Sequence, residues 1–355
     1  MDGRRQVPTA GGNNAGHRVD QGRAVVGVHL EVSLGLWQDR PPEEVIRTAG
    51  IADSLGYRAI WIGEMATWDA FALGTHVGRT FRQAGLVLGP FAVAVRDPAM
   101  IAIGVASVAA LTGRKVSVAL GTSSTTVVES WHGRDRSRSG LALAESAGAV
   151  RSLLDGRKTE LDGEVLHTSG YRLRLPPPRS DLVIAAFGDQ AIRAAALHAD
   201  TMVLNLVDPP SVRALVTKLE KAAADCGRPR PRVAVWTTCA IDPGPQAIEQ
   251  MRRGVVGYLA APGYAEMFCR AGYADLVALA RTRPHPGALL AAVPASLHTV
   301  VGLVGGREQV AARMREYIEA GADDIVLVPA ATDEDPAGTY SLGAAADIGR
   351  TVIGS

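Results

Sequence analysis

Short apolar runs alternate with helical segments along the chain from residue 25, and that alternation predicts a parallel sheet whose strands are joined by crossover helices. Eight strand–helix units are counted. VVGVHLEV (25–32) opens the series and is followed by PEEVIRTAGIADSLG, where Pro42 suits a first helical turn and Gly56 a helix end. The second strand is AIWIGEM (59–65), with its helix over residues 70–81. The third is LVLGPFAVAV (86–95), with a helix from Pro98. In the fourth, Val116, Val118 and Leu120 alternate with smaller or polar residues up to Gly121, and its helix covers residues 139–154. DLVIAAFG (181–188), TMVLNLV (201–207), RVAVWTTCAI (232–241) and DDIVLVPA (323–330) complete the count, with helices from Pro210 and near Gly306.

Because strand–helix–strand crossovers are right-handed, the simplest architecture for eight such units is a closed α/β (β/α)8 TIM barrel. Residues 24–355 then form a single domain, preceded by a flexible arm at residues 1–23, which has arginines but no apolar segment of the kind a secretion signal needs. Two insertions interrupt the repeat. Residues 156–180, after strand four, are rich in Gly and Pro with alternating residues between, which predicts a β-hairpin and a proline-rich linker. Residues 243–303, after strand seven, contain helical pieces carrying Tyr264, Met267, Phe268 and Tyr273. These aromatics either form a lid over a pocket or pack the insertion onto the barrel.

Composition narrows the partners. Hydrophobic residues at 47%, charged residues at 21% and a net charge of +1 leave no general electrostatic drive toward nucleic acid or an anionic membrane, so small molecules are the expected partners. The longest apolar stretch, residues 86–111, is broken by Arg96, Asp97 and Pro98. That leaves 13 residues, where a membrane span needs about 20. Cys226, Cys239 and Cys269 are odd in number and far apart, so neither a disulfide framework nor a metal site is suggested, and a reducing cytoplasm fits. No P-loop, Gly-x-Ser-x-Gly elbow or His-Glu-x-x-His helix is present.

The densest chemistry lies in residues 115–133, KVSVALGTSSTTVVESWHG, where a strand empties into a glycine-led polar loop with Glu129, Trp131 and His132. Strand ends feeding polar loops are where barrels of this type carry out chemistry. On the same logic His29, read as late in strand one, Glu64 at the end of strand two and His132 after strand four are the candidate acids and bases, since burial and neighbours tune such groups toward neutrality. Trp68 is the aromatic chosen for the pocket, ahead of Trp37 and of Trp61, which points from inside a strand.

Taken together, LGYRAIWIGE (55–64), LGPFAVAVRDP (88–98), LTGRKVSVALGTSSTTVVESWHG (111–133), IAAFGDQAIRAAALHADTMVLN (184–205) and VGGREQVAARMREYIEAGADDIVLVP (304–329) resemble the bacterial luciferase-like barrel family, in particular its branch that uses the deazaflavin coenzyme F420. The resemblance implies hydride transfer between a bound deazaflavin and a small organic substrate. It also implies a homodimer. For the site, it implies that Phe187, Gly188 and Asp189 hold the coenzyme phosphate at a helix start, with the Asp189 side chain capping the helix and turned away. Gly121, Thr122 and Ser123 supply a second contact, and a bulge with a cis Gly89–Pro90 bond backs the ring. Arg134, Arg136 and Arg138 either meet the acidic tail of F420 or form a solvated basic turn. Many relatives have an Asp-His pair after strand two where this chain has Glu64 and Met65, which weakens transfer of a sugar-phosphate dehydrogenase mechanism. Two rival readings stand beside this one: an FMN-dependent monooxygenase of the same fold, and a non-catalytic barrel that stores or presents the coenzyme.

Overall fold

The computed structural model describes residues 27–35, 37 and 39–354, so the arm expected over residues 1–23 lies outside the described residues. Its elements run β1 (His29–Ser33), α1 (Glu44–Ser54), β2 (Ala59–Ile62), α2 (Ala70–Thr80), β3 (Gly85–Ala92), α3 (Pro98–Thr112), β4 (Val116–Gly121) and, after a π-helical turn at Thr126–Trp131, α4 (Ser139–Leu154). Then follow β5 (Glu160–Asp162), β6 (His167–Ser169), β7 (Leu182–Ala185), α5 (Asp189–His198), β8 (Thr201–Asn205), α6 (Pro209–Asp225) and β9 (Arg232–Ile241). Five helices succeed β9: α7 (Pro245–Val256), α8 (Tyr264–Arg270), α9 (Ala274–Arg281), α10 (Pro286–Ala292) and α11 (His298–Val301). The chain closes with β10 (Leu303–Gly305), α12 (Arg307–Glu319), β11 (Asp324–Pro329) and α13 (Thr339–Gly349).

Eight of these strands, all parallel, close into a barrel in the order β1-β2-β3-β4-β7-β8-β9-β11 and back to β1. β5 and β6 form the separate antiparallel hairpin, and β10 lies beside the far end of β9, Leu303 opposite Cys239. The period-2 alternation of the strands decides what faces where. Ala59, Trp61, Val87, Ala119, Val183, Val203, Ala234 and Val326 fill the interior. Their alternates, such as Ile60, Ile62, Leu86, Leu88, Val118 and Ile184, meet the buried faces of the helices. Two helix starts are written plainly in the chain: Asp97 and Asp208 each accept a first-turn amide, from Met100 and Ser211, and proline follows both.

The N-terminal end of the barrel is closed by charge rather than hydrocarbon. Glu31 is 6% exposed and accepts the Trp61 indole N–H at 2.5 Å. Asp324 accepts from Arg232 at 2.6 Å, and Arg58 lies 3.8 Å from Glu31. Buried charges persist only when paired in this way. Burial first, then the neighbouring Asp324 charge, push the Glu31 carboxyl up to about 7.

Candidate active site

The C-terminal rim collects the ends of β3, β4 and β7. At β3 the register slips between Leu88 and Phe91, making a bulge, and the Gly89–Pro90 peptide is cis, as the resemblance implies. Gly89 takes φ +102°, and a Cβ there would stand 2.4 Å from the Ala119 carbonyl oxygen, so no side chain fits. Next to it Gly121 ends β4, and a Cβ on Gly121 would lie 3.3 Å from Pro90 Cβ and 3.4 Å from Ala185 Cβ. Pro90, Gly121 and Ala185 therefore lie side by side on three adjacent strands, a floor with no bulky side chain. Gly121 and Gly188 stand on neighbouring strand ends of the same rim, since β4 pairs with β7.

Gly188 is the N-cap of α5, with no side chain over the first-turn amides and nothing within 4 Å of a Cβ built on it. A ten-residue helix offers free N–H groups and the positive end of its dipole at that point. Asp189 corrects the expectation of a cap: it is the first helical residue, and its carboxylate turns out to Lys218 at 2.8 Å. That pairing partly offsets the negative charge at this helix start. By contrast, the N-terminus of α7 is closed to anions, because a Cβ on its N-cap Gly244 would lie 1.8 Å from the Glu334 carboxylate. That helix borders an acid-rich cleft lined by Asp242, Glu334, Asp335 and Tyr340.

The titratable candidates separate. His29 is the first residue of β1, on the opposite rim, with Nδ1 3.1 Å from Asp324 and Arg58 donating to Nε2 at 2.7 Å. The correction has a simple cause: the strand starts at His29, four residues later than the apolar run, so a residue read as late is the earliest. Burial lowers the His29 pKa. Glu64 does stand at the mouth, yet both its oxygens are occupied by Arg96, at 2.7 and 2.5 Å. Arg96 also donates to Asp69 and lies over the Phe71 and Phe91 rings, at 5.0 and 5.6 Å. Asp69 caps α2, and the Ala72 amide together with Arg96 outweighs burial and lowers its pKa. The trio thus clamps the loop between β2 and α2. His132 sits exposed just after the π-helical turn, and Trp131 beside it is also exposed.

Other expected residues are committed to the frame. The Trp68 indole donates to the Pro42 carbonyl and Trp37 to that of Pro329, so both tie rim loops together. Thr122 and Ser123 follow the floor strand, with Ser123 at φ +54° and its carbonyl held by Arg136 at 3.0 Å. Arg138 pairs with Glu164. Phe187 packs on Tyr264 at 4.7 Å between ring centres, and Tyr264 on Tyr258 at 5.0 Å. Tyr264 O–H donates to the Asn205 carbonyl, and the Asn205 amide donates to Tyr258 O–H. The helices after β9 are thereby fastened over the ends of β7 and β8, while Met267 and Phe268 are fully buried in the core. Arg96 and Asn205 escaped sequence reasoning, although a lone arginine inside the longest apolar stretch was a usable signal for the first.

A model of the family described as luciferase-like monooxygenase matches residues 20–324. The chain is 21% identical over 323 residues to the 5,10-methylenetetrahydromethanopterin reductase of Methanolobus tindarius, an alignment covering 88% of this chain and 97% of that relative. Among solved structures, the coenzyme F420 dependent tetrahydromethanopterin reductase from Methanopyrus kandleri superposes with a TM-score of 0.75 at 17% identity, covering 90% of this chain and 97% of that one. The oxygenating constituent of 3,6-diketocamphane monooxygenase from Pseudomonas putida, in complex with FMN, gives a TM-score of 0.65 at 16% identity, with coverage of 92% and 98%. At these identities the structural likeness is one of fold.

Proposed function

We infer the function from one premise: the chain belongs to the luciferase-like monooxygenase family. It is an oxidoreductase on a (β/α)8 barrel, and among the proteins that share its fold both F420-dependent and FMN-binding ones occur. Within that class we assign coenzyme F420 and a small organic substrate. The observation that supports this most is the trio of small residues Pro90, Gly121 and Ala185 beside the open N-terminus of α5. A bound deazaflavin supplies two electrons as hydride.

The chain's own residues have four tasks in this reading. Gly89, Pro90 and Gly121 seat the ring, with Thr122 and Ser123 at the edge of the seat. The amides of α5 that follow Phe187 and Gly188 take the phosphate, with Asp189 held off by Lys218. The clamp of Glu64, Arg96 and Asp69 keeps the β2 loop rigid, and Phe187, Tyr258 and Tyr264 exclude water from one side. Proton exchange is assigned to His132, on the loop that leaves β4, because His29 lies on the far rim and Glu64 is occupied.

The second reading, an FMN-dependent monooxygenase, is favoured by the family description and the FMN-bound relative of the same fold. One titration separates the two: the apo-protein against F420 and against FMN, followed by coenzyme fluorescence. Saturable binding of F420 with rejection of FMN supports the assignment, and the reverse transfers it to the monooxygenase. A cytoplasmic homodimer belongs to the same proposal. Among the described residues, no helix is long and apolar enough to cross a membrane.

A further inference from the structure

On the face of β9 that looks into the barrel, two polar atoms are buried without a hydrogen-bond partner among the described residues: Trp236 Nε1 and Thr238 Oγ1. Buried donors are almost always satisfied, so an unmet pair two residues apart on one strand face marks a place where a ligand atom belongs. Trp236 packs against the interior cluster and meets Trp61 edge to face at 5.4 Å. It nonetheless keeps partial exposure. Below it Ala234 is fully buried, and the N-terminal end is plugged by Glu31 and Asp324. The exposed part of Trp236 therefore opens toward the C-terminal mouth, and the buried Nε1 belongs to the part of the indole turned away from that opening. In the strand order β9 lies across the barrel from β3, the strand that carries Pro90.

We propose that Trp236 is a specificity-determining residue: its indole N–H donates to a carbonyl oxygen on the innermost edge of the bound ring, so that the ring enters with its pyrimidinedione edge first. Thr238 completes a donor wall above it. An indole N–H can only donate, so it selects an edge that carries an oxygen acceptor over an apolar methylated edge. This rests on the reading that a flavin-type ring is the ligand, but not on which one, because F420 and FMN share that edge.

The test uses the whole protein labelled with 15N at its five tryptophans. Trp236→Phe assigns one indole signal, after circular dichroism has checked its fold, and the wild-type protein is then titrated with F420 and with FMN. The expected result is a saturable downfield shift of the Trp236 indole proton, tracking coenzyme fluorescence, while the Trp61 signal, already bonded to Glu31, stays in place. Thr238→Val is expected to weaken binding about 2- to 10-fold and Thr238→Ser to restore it. A coenzyme that binds while the Trp236 proton stays still or moves upfield overturns the proposal and leaves the coenzyme assignment standing; an indole satisfied by the Trp61 ring face would give that result. Binding of neither coenzyme removes the assignment itself, and the proposal with it.

Discussion

Substituting Gly121 by alanine separates a residue kept small for the fold from one kept small for a ligand. Gly121 does not use a left-handed backbone, so the added methyl brings no φ strain, and losing glycine's freedom in the unfolded chain favours the variant by about 0.4–1 kcal/mol. Against this, the new Cβ would sit 3.3 Å from Pro90 Cβ and 3.4 Å from Ala185 Cβ, a squeeze of a few tenths of an ångström that costs a similar amount. Folding stability should therefore change by less than about 1 kcal/mol. The methyl rises from the middle of the floor, however, and holds a flat ring off it. Losing part of the contact with Pro90 and Ala185 should cost about 1–3 kcal/mol of binding, or about 5- to 150-fold in Kd. Urea unfolding and coenzyme fluorescence titration measure the two quantities. Wild-type affinity in a normally folded Gly121→Ala protein would refute the placement of the ring. Gly89→Ala is the contrasting control: at φ +102°, with Cβ 2.4 Å from Ala119 O and 2.6 Å from Phe91 N, it should lose about 3 kcal/mol of stability or fail to fold.

Three more outcomes follow from the charged residues. His29→Ala should lower stability by about 1–2 kcal/mol and leave coenzyme affinity unchanged; a large fall in affinity without unfolding would return His29 to the active site. Arg96→Ala strands the partly buried Glu64 carboxylate and the exposed Asp69 carboxylate and should cost about 1–2 kcal/mol, with Glu64→Gln milder; equal, negligible effects by chemical denaturation would mean that the clamp does not hold the loop. Glu31 makes stability fall with rising pH. Its folded pKa, pushed up by burial and by Asp324 to about 7, exceeds the 4.5 of the free group, so between those values the folded state holds more protons than the unfolded one. Glu31→Gln should accordingly show a smaller drop in Tm from pH 5 to pH 7 than the wild type, and identical profiles would show that Glu31 is not the group that titrates.

Much of the frame was legible in the chain, because local pattern and tertiary structure agree there. The eight apolar runs at barrel spacing are the eight strands of the ring, and Pro98 sits one residue past a capping aspartate, as a helix start should. The helix expected over residues 139–154 is α4 to the residue. The bulge and the cis Gly89–Pro90 bond came from the resemblance and are present. His29 was misplaced because hydrophobic periodicity dates a strand only to within a few residues, and a shift of that size moves a side chain from one rim to the other; Asp189 stands at the expected helix start, as its first residue and not its cap. Glu64 and Trp68 were located correctly along the chain, yet what each bonds to depends on Arg96 and Pro42, 32 and 26 residues away.

Residue order is enough to specify alternation and breakpoints, and through them a closed parallel ring whose loops carry the site, because these depend on neighbours within a few positions. The pairing of charges depends on which distant strands become adjacent. His29, Asp324 and Arg232 meet at one end only because β1, β11 and β9 are neighbours in the closed ring. Ring closure likewise sets β9, which carries Trp236 with its N–H unanswered, across from β3, which carries Pro90. Distance in space, which the linear pattern does not encode, decided which polar groups are spent on holding the barrel together and which stay without a partner among the described residues.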